Sequence, residues 1–203
     1  MEIYLLLGGN IGPVCENLQR AQTLIAERVG RVTRASRVYT SPAWGFESPD
    51  PFFNVALAVD TALSPEETMQ TLLQIEHTLG RRRGAACGQA AADAAGAGAL
   101  TGADGLAAVA GNGAPMAAEA AAGHAAPSKI YTSRPIDIDI LFFGPMVIHT
   151  PLLTVPHPRL PQRRFALLPL CDIAPDWVHP ELHRTMASLL ASCPDCSPVE
   201  PVS

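Results

Sequence analysis

The run Arg134-Pro135-Ile136-Asp137-Ile138-Asp139-Ile140-Leu141-Phe142-Phe143 alternates acid and isoleucine with a period of two. A β-strand converts that period into two chemically opposite faces. Asp137 and Asp139 point one way, and Ile136, Ile138 and Ile140 point into the opposite layer. Carboxylates two residues apart on a strand lie about 6–7 Å from each other and repel unless something positive stands before them. Two readings stay open on the strand alone. One is an edge strand whose acidic face is solvated. The other is a face that holds a hard oxygen-seeking cation such as Mg²⁺, which usually arrives with substrate phosphates.

Upstream, the apolar run Ile3–Leu7 ends in Gly8-Gly9-Asn10, which reads as a buried strand and a tight turn. Leu18, Ala21, Leu24, Ile25 and Val29 recur at helical spacing before Gly30. Val32–Thr40 predicts a second strand and Phe52–Asp60 a third. Ser64-Pro65-Glu66-Glu67 supplies an N-cap, a first-turn proline and first-turn acids for a helix that Gly80 stops near Leu79. With the acidic strand last, the order is β-α-β-β-α-β. The predicted fold class is therefore α+β, a ferredoxin-like (split βαβ) antiparallel sheet backed by helices. A hairpin near 146–154 and helices near 164–171 and 183–192 are predicted additions.

Between Gly84 and Ser128 about two-thirds of the residues are alanine or glycine, and large side chains are almost absent. Glycines interrupt each alanine run and nothing large is available to bury, so 84–128 reads as a low-complexity, flexible loop insertion within one domain. The chain's 203 residues otherwise suit a single domain over 1–192, with 193–203 as a Pro-rich tail. A net charge of −5 argues against a nucleic-acid partner or an anionic membrane surface. No apolar run approaches the ~20 residues that span a bilayer. The start of the chain lacks the pattern of a signal peptide, and five scattered cysteines fit a reducing compartment, so a cytoplasmic location is expected. Cys193-Pro194-Asp195-Cys196 has no second ligand pair, which weakens a zinc or redox reading.

Arginines nevertheless cluster at Arg81, Arg82, Arg83, Arg134, Arg159, Arg163 and Arg164, a pattern suited to a small polyanion. Gly8-Gly9-Asn10-Ile11-Gly12 matches neither dinucleotide nor P-loop phosphate signatures. Acids for a metal and arginines for phosphates describe phosphoryl-group transfer, in which positioning and charge neutralisation dominate. No residue stands out as a general base. A second cluster, Ser41-Pro42 with Phe52, Asn54 and Phe165, offers aromatics and an amide for a flat heterocycle; the aromatics also read as core.

These blocks resemble the 6-hydroxymethyl-7,8-dihydropterin pyrophosphokinases. The matches are L-L-G-G-N-I-G (Leu6–Gly12), Tyr39–Pro42, F-F-N-V (Phe52–Val55), I-E-H-T-L-G-R-R-R (Ile75–Arg83), S-R-P-I-D-I-D-I-L-F-F-G (Ser133–Gly144) and V-P-H-P-R-L-P-Q-R-R-F-A-L-L-P-L (Val155–Leu170), in family order. The resemblance implies transfer of pyrophosphate from ATP to the pterin's hydroxymethyl oxygen, with AMP released. It implies that Asp137 and Asp139 hold two Mg²⁺ ions. It places Glu76, Arg81, Arg83, Arg134, Ile140, His157 and Arg163 against ATP, and Ser41, Pro42, Trp44, Phe52, Asn54, Tyr131 and Phe165 around the pterin. Arg81, Arg83 and Arg134 join the two acids as the catalytic set, and a monomer is expected. Tyr131 stands where many relatives carry Trp and Ile130 where arginine is common. The insertion falls in the loop that closes over the site in relatives. A binding module that has lost turnover is the competing expectation.

Overall fold

The computed structural model describes residues 1–81 and 133–202. Expectations about 84–128, and about Arg82, Arg83, Ile130 and Tyr131, lie outside the described residues. The first strand, β1, runs over Glu2–Gly9 and is buried along nearly its whole length. Helix α1 (Val14–Arg28) presents Val14, Leu18, Ala21 and Ile25 to the core, a stripe at helical spacing. Where one strand is predicted over Val32–Thr40, two form: β2 (Gly30–Ala35) and β3 (Tyr39–Ser41). Both pair antiparallel with β4 (Phe52–Thr61), but their registers differ by one residue, so the chain bulges between Ser36 and Tyr39. Ser36 stabilises the break on both sides: its N–H donates to Ala56 O at 2.9 Å, and its Oγ accepts from Ala56 N–H at 2.9 Å.

Helix α2 (Pro65–Thr78) opens on a complete capping box. Ser64 Oγ accepts from Glu67 N–H, and Glu67 Oε2 accepts from Ser64 N–H. Gly80, at φ +89°, turns the chain out of the helix in a conformation that side chains disfavour. The acidic strand is β5 (Asp137–Phe143). The predicted hairpin is the pair β6 (Ile148–His149) and β7 (Thr154–Val155). Helix α3 (Arg164–Ile173) matches expectation, whereas α4 is shorter than predicted, Met186–Ala191. His183 at φ +52° cannot continue a helix, and Thr185 caps the one that follows. The segment read as a tail returns to the sheet: β8 (Glu200–Pro201) pairs with β3.

The main sheet has the order β5-β1-β4-β3-β8, with β2 also on β4, and every pairing is antiparallel. Alternation divides its residues between two cores. Leu5, Leu7, Val55, Leu57, Val59, Ile138 and Ile140 pack under α1 and α2. Tyr4, Leu6, Ala56 and Ala58 pack on the other side against Leu167, Leu170 and Ile173 of α3 and Met186 and Leu189 of α4. The sheet thus carries helices on both faces. Small residues at 56 and 58 let α3 approach closely.

Candidate active site

Beyond the first turn of α3, the second face of the sheet carries polar side chains. Register places Asp137 beside Gly8, Gly8 beside Asn54, and Asn54 beside Tyr39, one row across four strands. Asp139 lies one step along, beside Leu6. All of these positions alternate onto the α3 side, because Ile138 and Ile140 point to the other core. Gly8 is required by crowding: a Cβ there would stand 2.7 Å from Asn54 Oδ1. Gly9 is equally constrained, by Pro135 O at 2.6 Å. These contacts, not a phosphate loop, account for the paired glycines.

β5 is an edge strand of the sheet, but its acidic face is not left to solvent. The Asp137 side chain is 19% exposed and that of Asp139 is 32% exposed. Arg81 pairs with Asp137 Oδ1 and Arg134 with its Oδ2. Arg163 Nη1 stands 3.9 Å from Asp139 Oδ2. Arg81 also donates to Glu76 Oε1 at 2.5 Å. That buried carboxylate accepts from Ile138 N–H at 2.7 Å, locking α2 to β5. Burial pulls the Arg134 guanidinium below its ordinary range, and Arg81 beside it pulls the same way. Burial lowers Arg163 too, against the attraction of Asp139. Arg134 Nε is buried with no hydrogen-bond partner among the described residues. Cationic groups gathered with such unmet donor capacity suit an oxyanion ligand.

The aromatic side forms around Arg163. Its guanidinium lies 4.9 Å from the Trp44 ring centroid and 5.6 Å from that of Phe165, and the two rings are 6.4 Å apart. His157 Nε2 is 3.5 Å from Arg163 Nη1, while its Nδ1 accepts from Arg159 N–H. Buried Asn54 donates through Nδ2 to Ser41 Oγ at 3.3 Å. Phe52 meets Phe46 edge-on at 5.9 Å and lies 6.0 Å beneath Arg134. Pro42 is exposed on the loop that follows Ser41.

Of the predicted site residues, Glu76 and Ile140 are among those whose side chains the structure buries, and Ile140 is the one turned away from the acids. It is 4% exposed in the core under α1 and α2, because strand alternation turns it from the acids. Any contact it makes with a ligand must use its backbone. Arg83 and Tyr131 lie outside the described residues. Sequence reasoning missed Asn10. Its Nδ2 donates to Ser48 Oγ at 3.1 Å and Ser133 Oγ at 3.0 Å, and its Oδ1 accepts from Arg134 N–H at 2.8 Å. It fixes the backbone from which Arg134 projects. The only signal was an amide at the end of a strand, within G-G-N.

The donor set also bears on a metal. Two carboxylates on one strand, with no group of three or more Cys, His, Asp or Glu residues placed to hold an ion among the described residues, do not make a closed protein cage. They fit Mg²⁺, which keeps waters and takes further oxygens from substrate phosphates. Cys193 and Cys196 flank Asp195 and are not part of such a group.

Comparison with known proteins places these features in a wider set. The model of the 7,8-dihydro-6-hydroxymethylpterin-pyrophosphokinase (HPPK) family matches residues 4–94 and 113–175. A 2-amino-4-hydroxy-6-hydroxymethyldihydropteridine pyrophosphokinase of Synechocystis sp. is 34% identical, over 97% of this chain and 78% of its own length. One from Porphyromonas gingivalis is 33% identical, over 88% of this chain and 94% of its own. A solved Plasmodium falciparum HPPK-DHPS chain superposes with a TM-score of 0.60 at 13% identity. That match covers 94% of this chain and 44% of the other, so the chain spans less than half of the solved chain and shares its fold over that part.

Proposed function

The chain belongs to the 7,8-dihydro-6-hydroxymethylpterin-pyrophosphokinase family, and from that membership we infer that it transfers the pyrophosphoryl group of ATP to the hydroxymethyl oxygen of 6-hydroxymethyl-7,8-dihydropterin in folate biosynthesis, releasing AMP. The observation that carries the site assignment is the row Asp137–Gly8–Asn54. It sets an anionic-ligand half and an aromatic-amide half side by side, two strand spacings or about 10 Å apart. Release of AMP means that the substrate oxygen attacks the β-phosphorus and the bond from that phosphorus to the oxygen of the α-phosphate breaks. The pterin must therefore lie in line with the triphosphate, an arrangement that two adjoining half-sites supply.

Asp137 and Asp139 would hold Mg²⁺, two ions when ATP is bound. The metal would neutralise charge on the transferring phosphates. Arg81 and Arg134, which pair with Asp137, would offer their guanidinium donors to phosphate oxygens when ATP is bound. Arg163 and His157 line the same half, and Arg83 is assigned there by family position. Ser41, Pro42, Trp44, Phe52, Asn54 and Phe165 form the pterin side, with Tyr131 assigned to it by family position. No single side chain is given the role of base; the protein orients and neutralises. The strand order β5-β1-β4-β2 around two split βαβ units supports the ferredoxin-like reading, and because β8 pairs with β3 the domain proposed over 1–192 extends to Pro201, interrupted by 84–128. A cytoplasmic monomer is the working assignment. Among the described residues no helix is long and apolar enough to cross a membrane.

An AMP-release assay tests the reading. AMP should form from ATP and Mg²⁺ only when the reduced pterin is present, and ADP as the nucleotide product would overturn it. Asp137→Asn and Asp139→Asn should each lower kcat by about a hundredfold or more, the scale of a lost transition-state charge contact. Near-normal turnover in either variant would refute the assigned role.

A further inference from the structure

Residues 193–202 connect two walls of the cleft. At one end Asp195 Oδ2 accepts from the backbone N–H of Arg164 at 3.1 Å, across thirty-one residues of sequence. Its Oδ1 accepts from Ser197 N–H at 3.0 Å, which holds the carboxylate in that pose. Arg164 is the first residue of α3, and the residue before it, Arg163, provides no side-chain cap. A helix start needs acceptors for its free N–H groups and favours negative charge beside them, and Asp195 meets both needs from elsewhere in the chain. The turn secured in this way carries Arg163 and Phe165, which both pack against Trp44.

At the other end, Tyr39 pairs with Pro201 and Thr40 with Glu200, and Val202 N–H donates to Val38 O at 2.8 Å. The strand held there, β3, ends in Ser41, the partner of Asn54. One segment is thus anchored on the helix start that presents the aromatics and on the strand that presents the amide pocket. Between these anchors lie only Cys196 to Val199, too short a link to let the walls drift apart.

We propose that residues 193–202 act as a strap that sets the width of the pterin side of the cleft, with Asp195 a positioning residue for Arg163 and Phe165. The inference rests on the assignment of the aromatic-amide half to the pterin. Asp195 acts through the first turn of α3, accepting from its Arg164 N–H.

The experiment measures pterin affinity by fluorescence in the presence of Mg²⁺ and a non-hydrolysable ATP analogue, with thermal unfolding alongside. Asp195→Ala should weaken pterin binding about five- to tenfold, the size of a lost helix cap. Asp195→Asn, which retains an acceptor oxygen, should recover most of that loss. Val202→Pro removes the other anchor's N–H without touching α3 and should weaken binding in the same direction. A lower Tm with unchanged pterin affinity in both Asp195→Ala and Val202→Pro would reduce the segment to a structural brace and overturn the proposal. Asn54→Ala separates the two levels of inference. If it leaves pterin affinity intact, the pocket assignment fails; if it weakens binding while Asp195→Ala and Val202→Pro do not, the strap alone fails.

Discussion

Gly8 illustrates how a single residue can serve by what it lacks. It sits in the row between Asp137 and Asn54, and its missing side chain leaves the space through which the two halves of the site adjoin. Gly8→Ala would drive a methyl against Asn54 Oδ1 and displace the amide from Ser41. We expect the KM for pterin to rise about tenfold or more, the KM for ATP to move less than about twofold, and stability to fall by about 1–3 kcal/mol, as for overpacking. Steady-state kinetics and a denaturant melt check all three. Asp172 offers a residue-scale test of pH dependence. Burial pushes its carboxyl up, but hydrogen bonds from Arg37 and Tyr39 outweigh this and hold it below the ordinary value. The folded form therefore binds its proton less readily than the unfolded form. The stabilisation is complete above the free-carboxylate value of about 3.9 and is lost as pH falls through the lower folded value. Urea midpoints measured between about pH 5 and pH 2 should fall more steeply for the wild type than for Asp172→Asn; parallel curves would contradict the coupling.

At the level of elements, β5 departs from strict alternation where it matters least to the site. Its register with β1 slips by one residue between Tyr4 and Leu5, so Leu141 and Phe142 both face the α3 core. The bulge lies beyond Asp139, and Asp137 and Asp139 keep their common face. The local pattern therefore predicts the acidic pair correctly, while the end of the same strand does not obey it. The break between β2 and β3 has a similar origin, since β4 pairs with both in registers that no uninterrupted strand could satisfy. Helix α2 shows the opposite case, with its start readable from Ser64, Pro65 and Glu67 because capping is a local matter. Ser64→Ala should cost about 1 kcal/mol of stability, read as a lower Tm, with kcat within about twofold of wild type. A larger drop in kcat would tie the start of α2 to Arg81 and Asp137 at its far end.

Across the whole molecule, an acidic chain with a net charge of −5 collects Arg81, Arg134 and Arg163 on one face of its sheet. Attraction of a triphosphate to that cluster is partly screened by salt, whereas stacking and amide contacts are not. Raising ionic strength from about 0.05 M to 0.5 M should increase the KM for ATP severalfold and leave the KM for pterin within about twofold. Equal changes in both would mean that the two halves are not chemically distinct.

Taken alone, the amino-acid order settled everything that depends on near neighbours. Period two separated acids from isoleucines on β5, helical spacing marked α1 and α2, and short motifs carried the family resemblance from which the site residues are assigned. Other features required the assembled sheet. Asn10 meets Ser133 across 123 residues, and Asp195 reaches Arg164 from a segment that reads as a loose tail. Ile140 belongs to the core although it neighbours a candidate metal ligand. The fate of the acidic pair was of this kind as well, because a charged strand face is wet or clamped according to what long-range pairing brings against it. Alternation is local and legible. Register, bulges and the side of the sheet on which α3 packs are cooperative properties of distant segments, and a slip of one residue would have turned the acids into the other layer.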